Sequence, residues 1–250
     1  MTDREERFLR EHFRAEAECR AAVSRLEAGE PLAYIIGEWY FWRQTYRVSP
    51  DVLIPRSDTE LLVEKLTSML PENGRFLDLC TGSGCIAISS LCERPDVSAD
   101  AVELYGRAAE IARLNSADNG VSDRLRIIQA DAMSDDCVEQ LRLVNGLTDK
   151  IYDVIVSNPP YIRTGVIDTL SEQVKREPRA ALDGGKTGMD FYDMFLSIYP
   201  LLLKDGGAFL FEIGYDQADC IRAVASAHGV KTCDIYKDYG GNDRVALIRF

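Results

Sequence analysis

Asn158-Pro159-Pro160-Tyr161 is the stretch of this chain whose residue types and order lend themselves most directly to chemistry. Two adjacent prolines fix φ and remove two backbone donors, which leaves the carbonyls around them free as acceptors. The Asn158 side-chain oxygen and the Pro159 carbonyl can then take both hydrogens of an NH₂ group. Tyr161, or the Pro160 ring, offers a flat surface on which a planar group stacks. Nitrogen in an amide or an exocyclic aromatic amine is a poor nucleophile because its lone pair is delocalised. Accepting both N–H bonds raises its electron density and holds it in line with an electrophile, by positioning and electrostatics alone. No histidine base is required, and the sequence holds only His12 and His228, at opposite ends. The plain alternative is a loop that merely ends a strand. The tetrad's position directly after the apolar run 151–157, in a sheet already suspected of holding a cofactor, favours the chemical reading.

A second constellation precedes it. Leu77-Asp78-Leu79-Cys80-Thr81-Gly82-Ser83-Gly84-Cys85-Ile86-Ala87 reads as a strand, a glycine-rich turn and a helix start. Gly82 and Gly84 permit a tight turn and close approach of a ligand to the main chain. Glu103 closes the next strand, where a carboxylate can accept both ribose hydroxyl hydrogens. Gly82-x-Gly84-x-x-Ala87 with a distant acid also fits a nicotinamide oxidoreductase, and a plain glycine turn fits as well. Asp78 leans toward a sulfonium cofactor without deciding the choice: a carboxylate there suits a cationic sulfonium and its amino-acid tail and repels a pyrophosphate. Asp131, at the carboxyl end of the third strand, can receive an adenine amine. It serves equally as a cap for a helix from Met133 onward.

These residues need a frame. Thr2 and Glu5 read as a capping box opening an amphipathic helix that Gly29-Glu30-Pro31 ends. Residues 34–56 are aromatic and β-branched, and predict a hairpin closed around Gly37 or Ser49-Pro50-Asp51. Ser57 or Asp58 is expected to cap a helix running to Met69. From Arg75 onward strands (75–80, 97–103, 124–129, 151–157, 207–213) alternate with helices (84–93, 105–118, 190–203, 216–228). This pattern is that of a doubly wound, mostly parallel sheet. The strands expected at 230–236 and 244–250 follow one another without a helix, as an antiparallel hairpin at a sheet edge. A division near Asn73 separates residues 1–73, a front helical and hairpin segment, from 74–250.

Composition narrows the classes. The 250 residues carry a formal charge of −12, a poor balance for holding a phosphate backbone, whose affinity comes from Lys and Arg. No apolar run reaches the length of a membrane helix, and the first thirty residues have no secretory-signal pattern, so a cytoplasmic address is expected. Seven cysteines without a Cys-x-x-Cys pair, and two histidines, predict buried thiols and neither a zinc site nor a Ser-His-Asp triad.

Taken together, the residues resemble the release-factor glutamine methyltransferase family over about residues 30–250. Beside the two constellations above, the similarity runs through Pro31–Gly37, Leu53-Ile54-Pro55-Arg56 with Thr59-Glu60, and Glu177-Pro178 with Ala181–Gly185. It continues in Glu212-Ile213-Gly214 and in Lys237–Gly240 with Arg244. The resemblance implies a class I methyltransferase fold of seven strands. It implies S-adenosylmethionine as donor, S-adenosylhomocysteine as product, and the glutamine of the Gly-Gly-Gln motif of peptide-chain release factors as substrate. By the same resemblance Cys80, Thr81, Gly82, Ser83 and Gly84 line the methionine part, Glu103 the ribose, and Asp131 and Ala132 the adenine. Asn158 meets cofactor and substrate, and Pro159, Pro160 and Tyr161 meet the glutamine, with Asn158, Pro159 and Tyr161 as the catalytic set and no metal. A monomer without nucleic-acid or membrane contact is expected. The sequence departs from the family at Cys80, where glycine is usual, at Ala132, where the residue is often bulkier, and at Ser57-Asp58, in place of Pro-Glu. About thirty residues precede Pro31, fewer than the family's helical front. Two other classes share these residues: an adenine methyltransferase on DNA or RNA, and a non-catalytic binding protein on the same fold.

Overall fold

The computed structural model describes residues 3–250, so the capping box expected at Thr2 falls outside the described residues. In place of one front helix there are two, α1 (Asp3–His12) and α2 (Glu16–Glu27), followed by a short α3 (Leu32–Ile36). Tyr34-Ile35-Ile36, expected as strand, lies in α3. The residues after Pro31 wind into a single turn that the left-handed Gly37 stops, which hides Ala33, Tyr34 and Ile35 together. The hairpin is therefore shorter than expected. It pairs β1 (Glu38–Phe41) with β2 (Gln44–Arg47) and turns at Trp42-Arg43, where Trp42 takes φ 57°. Neither Gly37 nor Ser49-Pro50-Asp51 makes that turn.

A single 3₁₀ turn, Ser57–Thr59, leads into α4 (Glu60–Met69), and neither Ser57 nor Asp58 caps it through its side chain. The remaining elements are β3 (Arg75–Leu79), α5 (Cys85–Glu93), β4 (Ser98–Glu103), α6 (Gly106–Asp118), β5 (Leu125–Gln129) and α7 (Asp135–Val144). They continue with β6 (Tyr152–Ser157), α8 (Thr164–Ile167), α9 (Asp190–Ile198), β7 (Leu203–Glu212), α10 (Ala218–Ala227), β8 (Thr232–Lys237) and β9 (Asp243–Arg249). Seven strands form one sheet in the order β5-β4-β3-β6-β7-β9-β8. Neighbours are parallel up to β7, and β9 runs antiparallel to both β7 and β8. The terminal hairpin exists, but its second strand is inserted inside the sheet and β8 makes the edge. The burial of β9, from Val245 to Ile248, against the alternating exposure of β8 reflects those two places.

Each face of the sheet buries a different set of side chains. On one, Leu141 of α7, Tyr192 and Phe195 of α9, Tyr199 just after it and Ile221 of α10 cover Phe209 and Phe211. On the other, Leu62, Leu66, Ile86 and Leu91 from α4 and α5 cover Phe76, Val154 and Leu210, and Phe41 and Tyr46 of the hairpin join that core. The segment before Asn73 is thus not unified by one core. Leu9, Ala22, Leu26 and Ile35 make a small cluster of their own, while the hairpin and α4 belong to the packing of the sheet.

Candidate active site

In chain order β3, β4 and β5 step one way across the sheet, and β6 returns to the other side of β3. A crevice opens at such a switch point, beyond the carboxyl ends of the strands. A cavity of about 310 Å³ lies there. Its wall contains Cys80, Thr81, Gly82 and Ser83 after β3, Glu103 at the end of β4, Asp131 and Ala132 after β5, and Asn158 and Pro160 after β6. Four strand ends, spread over about eighty residues, meet in one space.

The turn after β3 is pinned from several directions. Thr81 donates its amide to the Val102 carbonyl at 3.0 Å. Asn115 Nδ2 donates to the Ser83 carbonyl at 2.8 Å, and the Gly82 amide donates to Glu103 Oε2 at 2.9 Å. The other Glu103 oxygen takes the Tyr105 amide at 2.9 Å. Burial raises the Glu103 carboxyl above its ordinary value, and these amides pull it back. Each carboxylate oxygen keeps a further lone pair, so acceptors remain for hydroxyls on the cavity side. Cys80 holds φ 60°, a left-handed backbone that explains why glycine is common at such a position.

Two expectations change. Gly84 does not face the cavity: a Cβ there would meet Ile88 Cδ1 at 2.8 Å, so its φ of +83° and its bareness serve the seating of α5. Asp78 is fully buried and stands outside the cavity wall. Its Oδ2 accepts the Thr81 hydroxyl at 2.6 Å while Oδ1 has no partner of ordinary geometry. Burial pushes its carboxyl up to about 7, with Thr81 and the Ala87 amide pulling down. A group so placed supports the loop through Thr81. Asp131 Oδ1 accepts the Met133 amide at 2.9 Å, and the residue is exposed in the cavity wall. The following helix is capped by Ser134 instead.

Pro159 is buried and absent from the cavity wall. Tyr161 faces a neighbouring open hollow with Trp39, Tyr40 and Arg56, and its hydroxyl donates to Glu212 Oε1 at 3.1 Å. Asn158 Nδ2 donates to Thr59 Oγ1 at 3.2 Å. Neither Thr59 nor Glu212 stands out in the sequence as a site residue; the signal available was their membership of the short blocks at 59–60 and 212–214.

The chain after the tetrad folds back as a cover. Pro178, Ala180, Ala181 and Asp183 complete the cavity wall. Ile162 and Leu182–Gly184 exchange backbone hydrogen bonds of 2.8 and 2.9 Å. Gly184 lies so close that a Cβ would sit 2.6 Å from the Pro160 carbonyl oxygen. Glu177, 5% exposed, fastens this cover by accepting the Ile54 amide at 3.1 Å and the Arg56 guanidinium.

The donor set suits S-adenosylmethionine. The buried acid Glu103 can accept hydroxyl hydrogens, the exposed acid Asp131 can accept from an amine, and the mostly apolar wall between them suits a flat ring and a methylene chain. Among the described residues no cluster of His, Cys, Asp and Glu could hold a metal.

Residues 56–187 match the family described as methyltransferase small domain. The chain is 38% identical over 228 residues to the release factor glutamine methyltransferase of Caulobacter vibrioides, covering 90% of this chain and 75% of that protein. It is 37% identical over 230 residues to that of Geobacter sulfurreducens, covering 92% and 76%. Among solved structures, the hMettl16 catalytic domain in complex with MAT2A 3'UTR hairpin 6 superposes with a TM-score of 0.61 at 16% identity. That match covers 82% of this chain and 74% of the other, a likeness of fold. At that identity to the two named enzymes, over most of both chains, the protein belongs to the release factor glutamine methyltransferase family.

Proposed function

We propose that the protein methylates the side-chain amide nitrogen of a glutamine, the one in the Gly-Gly-Gln motif of a peptide-chain release factor. The observation that carries this reading is that Asn158 and Pro160 share one cavity wall with Cys80–Ser83 and Glu103. S-adenosylmethionine supplies an electrophilic methyl on a sulfonium. The chain's part is to hold the acceptor nitrogen. Asn158 Oδ1 and the Pro159 carbonyl take its two hydrogens, which orients the lone pair and limits its delocalisation. The nitrogen gains a methyl and gives up one proton, and no side-chain base is needed, because the proton becomes acidic as the new bond forms.

The front helices α1 and α2 and the open hollow beside Tyr161 are the surfaces to which we assign docking of the release factor. The Arg176 guanidinium donates to the Ala28 carbonyl, which ties the front to the cover. We assign action as a monomer. No helix among the described residues is long and apolar enough to cross a membrane, and a cytoplasmic site of action is part of the proposal. A net charge of −12 favours a protein substrate over a nucleic acid.

Mass spectrometry of a release factor incubated with enzyme and S-adenosylmethionine tests the reading. A gain of one methyl on the glutamine is expected, and methyl label found only on DNA or RNA added in parallel would sink it. Asn158→Ala is expected to lower kcat by about 10²–10³-fold, the usual cost of one oriented transition-state contact, with cofactor affinity nearly unchanged.

A further inference from the structure

Glu212, at the end of β7, is 1% exposed and lies behind the cavity wall. Both of its oxygens accept hydroxyls: Thr59 Oγ1 at 2.6 Å and Tyr161 at 3.1 Å. A threonine hydroxyl has one hydrogen. With that hydrogen committed to Glu212, the Thr59 oxygen can only accept from its other side, and Asn158 Nδ2 donates to it at 3.2 Å. Turning the Asn158 amide over would bring Oδ1 against the lone pairs of Thr59 with no hydrogen between them. The relay therefore sets the amide with Nδ2 inward and leaves Oδ1 as the acceptor on offer.

We infer that Thr59 and Glu212 are positioning residues, and that ionised Glu212 fixes the polarity of the Thr59 hydroxyl and so keeps Asn158 in the acceptor orientation the substrate amide requires. This inference rests on the amide-methylation reading. The groups facing Glu212 are Thr59 and Asp58 ahead of α4, Cys85 of α5, Tyr161 from the loop after β6, Tyr192 of α9 and Arg244 of β9. Arg244 is paired with Asp58 at 3.3 Å and with Asp238 at 3.1 Å. Burial raises the Glu212 carboxyl to about 7 against the pull of Thr59, Arg244 and Tyr161. A protonated Glu212 can donate to Thr59 and free the threonine hydrogen, after which Asn158 finds a partner in either orientation. Turnover then rises with pH through the neutral range, because ionisation restores the single orientation.

The test uses the full chain, a full-length release factor and saturating S-adenosylmethionine. Thr59→Val keeps the shape and deletes the hydroxyl; kcat is expected to fall roughly 100-fold while cofactor affinity, read by calorimetry, stays within about threefold. Thr59→Ser is expected to recover kcat to within about fivefold of wild type. Glu212→Gln is expected to turn over more slowly and without the acid limb near neutrality. Three results would each overturn the relay: a Thr59→Val enzyme within about threefold of wild type, a Thr59→Ser enzyme no better than it, or an acid limb that survives in Glu212→Gln. Cofactor affinity lost in step with kcat in Thr59→Val would overturn it too, as the mark of a collapsed cavity. Should Thr59→Val not fold, the Glu212→Gln profile decides alone. Wild-type enzyme that leaves the release factor unmethylated removes the amide reading itself, an outcome distinct from active enzyme with an indifferent Thr59.

Discussion

At the scale of single residues, Gly184 is pressed against the backbone of the tetrad itself. A Cβ there would lie 2.6 Å from the Pro160 oxygen and 2.6 Å from the Tyr161 Cα, both backbone atoms with nowhere to go. Gly184→Ala must therefore push the tetrad and its cover apart. Overpacking of this kind costs roughly 1–3 kcal/mol. A displacement of about 1 Å at the reacting group costs about 100-fold in rate, so kcat is expected to fall that far while urea unfolding shows only the smaller penalty. Unchanged kcat would mean that the tetrad does not depend on this contact. Residues of this scale were legible when their chemistry is local. Cys80–Ser83, Glu103, Asp131, Ala132, Asn158 and Pro160 all reach the cavity because a strand end forces each of them there. Gly84 and Asp78 stand outside the cavity wall, which spacing cannot reveal because it carries no direction: one packs against α5, the other is buried. Thr59 and Glu212 are 153 residues apart in the chain, and nothing in either neighbourhood announces that they touch.

At the scale of elements, the cover over the cavity depends on a buried acid. The Glu177 side chain is 2% exposed and its Arg56 partner 38% exposed. Removing the arginine strands the carboxylate on the Ile54 amide alone, a loss of roughly 3 kcal/mol by analogy with broken buried pairs. Arg56→Met is expected to speed hydrogen exchange in residues 171–185 and to leave the amides of β3 and β6 protected. Arg56→Met with Glu177→Gln should recover part of that protection, because a neutral amide tolerates the missing partner better. Equal exchange in wild type and Arg56→Met would show that the ion pair does not fasten the cover. Elements are legible where their pattern is long and unmixed: six of the seven sheet strands lie within two residues of their expected bounds, while β7 begins at Leu203, four residues before the expected start and where a helix was expected to end. Short ones are not. In α7 just Cys137, Val138 and Leu141 are buried, too brief a stripe to stand out among its acids. In α3 the aromatic and β-branched residues favour a strand locally, yet tertiary packing winds them into one helical turn.

At the scale of the whole molecule, the buried acids tie stability to pH in a direction opposite to activity. Asp78 and Glu212 are both raised to about 7 by burial. For a carboxyl whose pKa is higher folded than unfolded, the folded state holds its proton longer. Stability is then greatest below the unfolded pKa, falls as pH rises, and levels off above the folded pKa. The window here runs from about pH 4 to about pH 7. Acids held low by partners, such as Asp183 beside Thr164 and Asp238 beside Asn242, act the other way and weaken the fold as pH drops further. The urea midpoint is therefore expected to peak near pH 5 and decline toward pH 8. Asp78→Asn removes one titration without touching the cavity wall, and should shrink the decline between pH 5 and 8 by roughly 2–3 kcal/mol. An identical slope in Asp78→Asn and wild type would show that Asp78 does not carry a raised pKa in the folded state. Glu212 meets both demands at once: the ionised form that holds Asn158 in its acceptor orientation is also the form that burial penalises. The enzyme gives up stability for an oriented amide, a trade in which the strained group sits next to the chemistry.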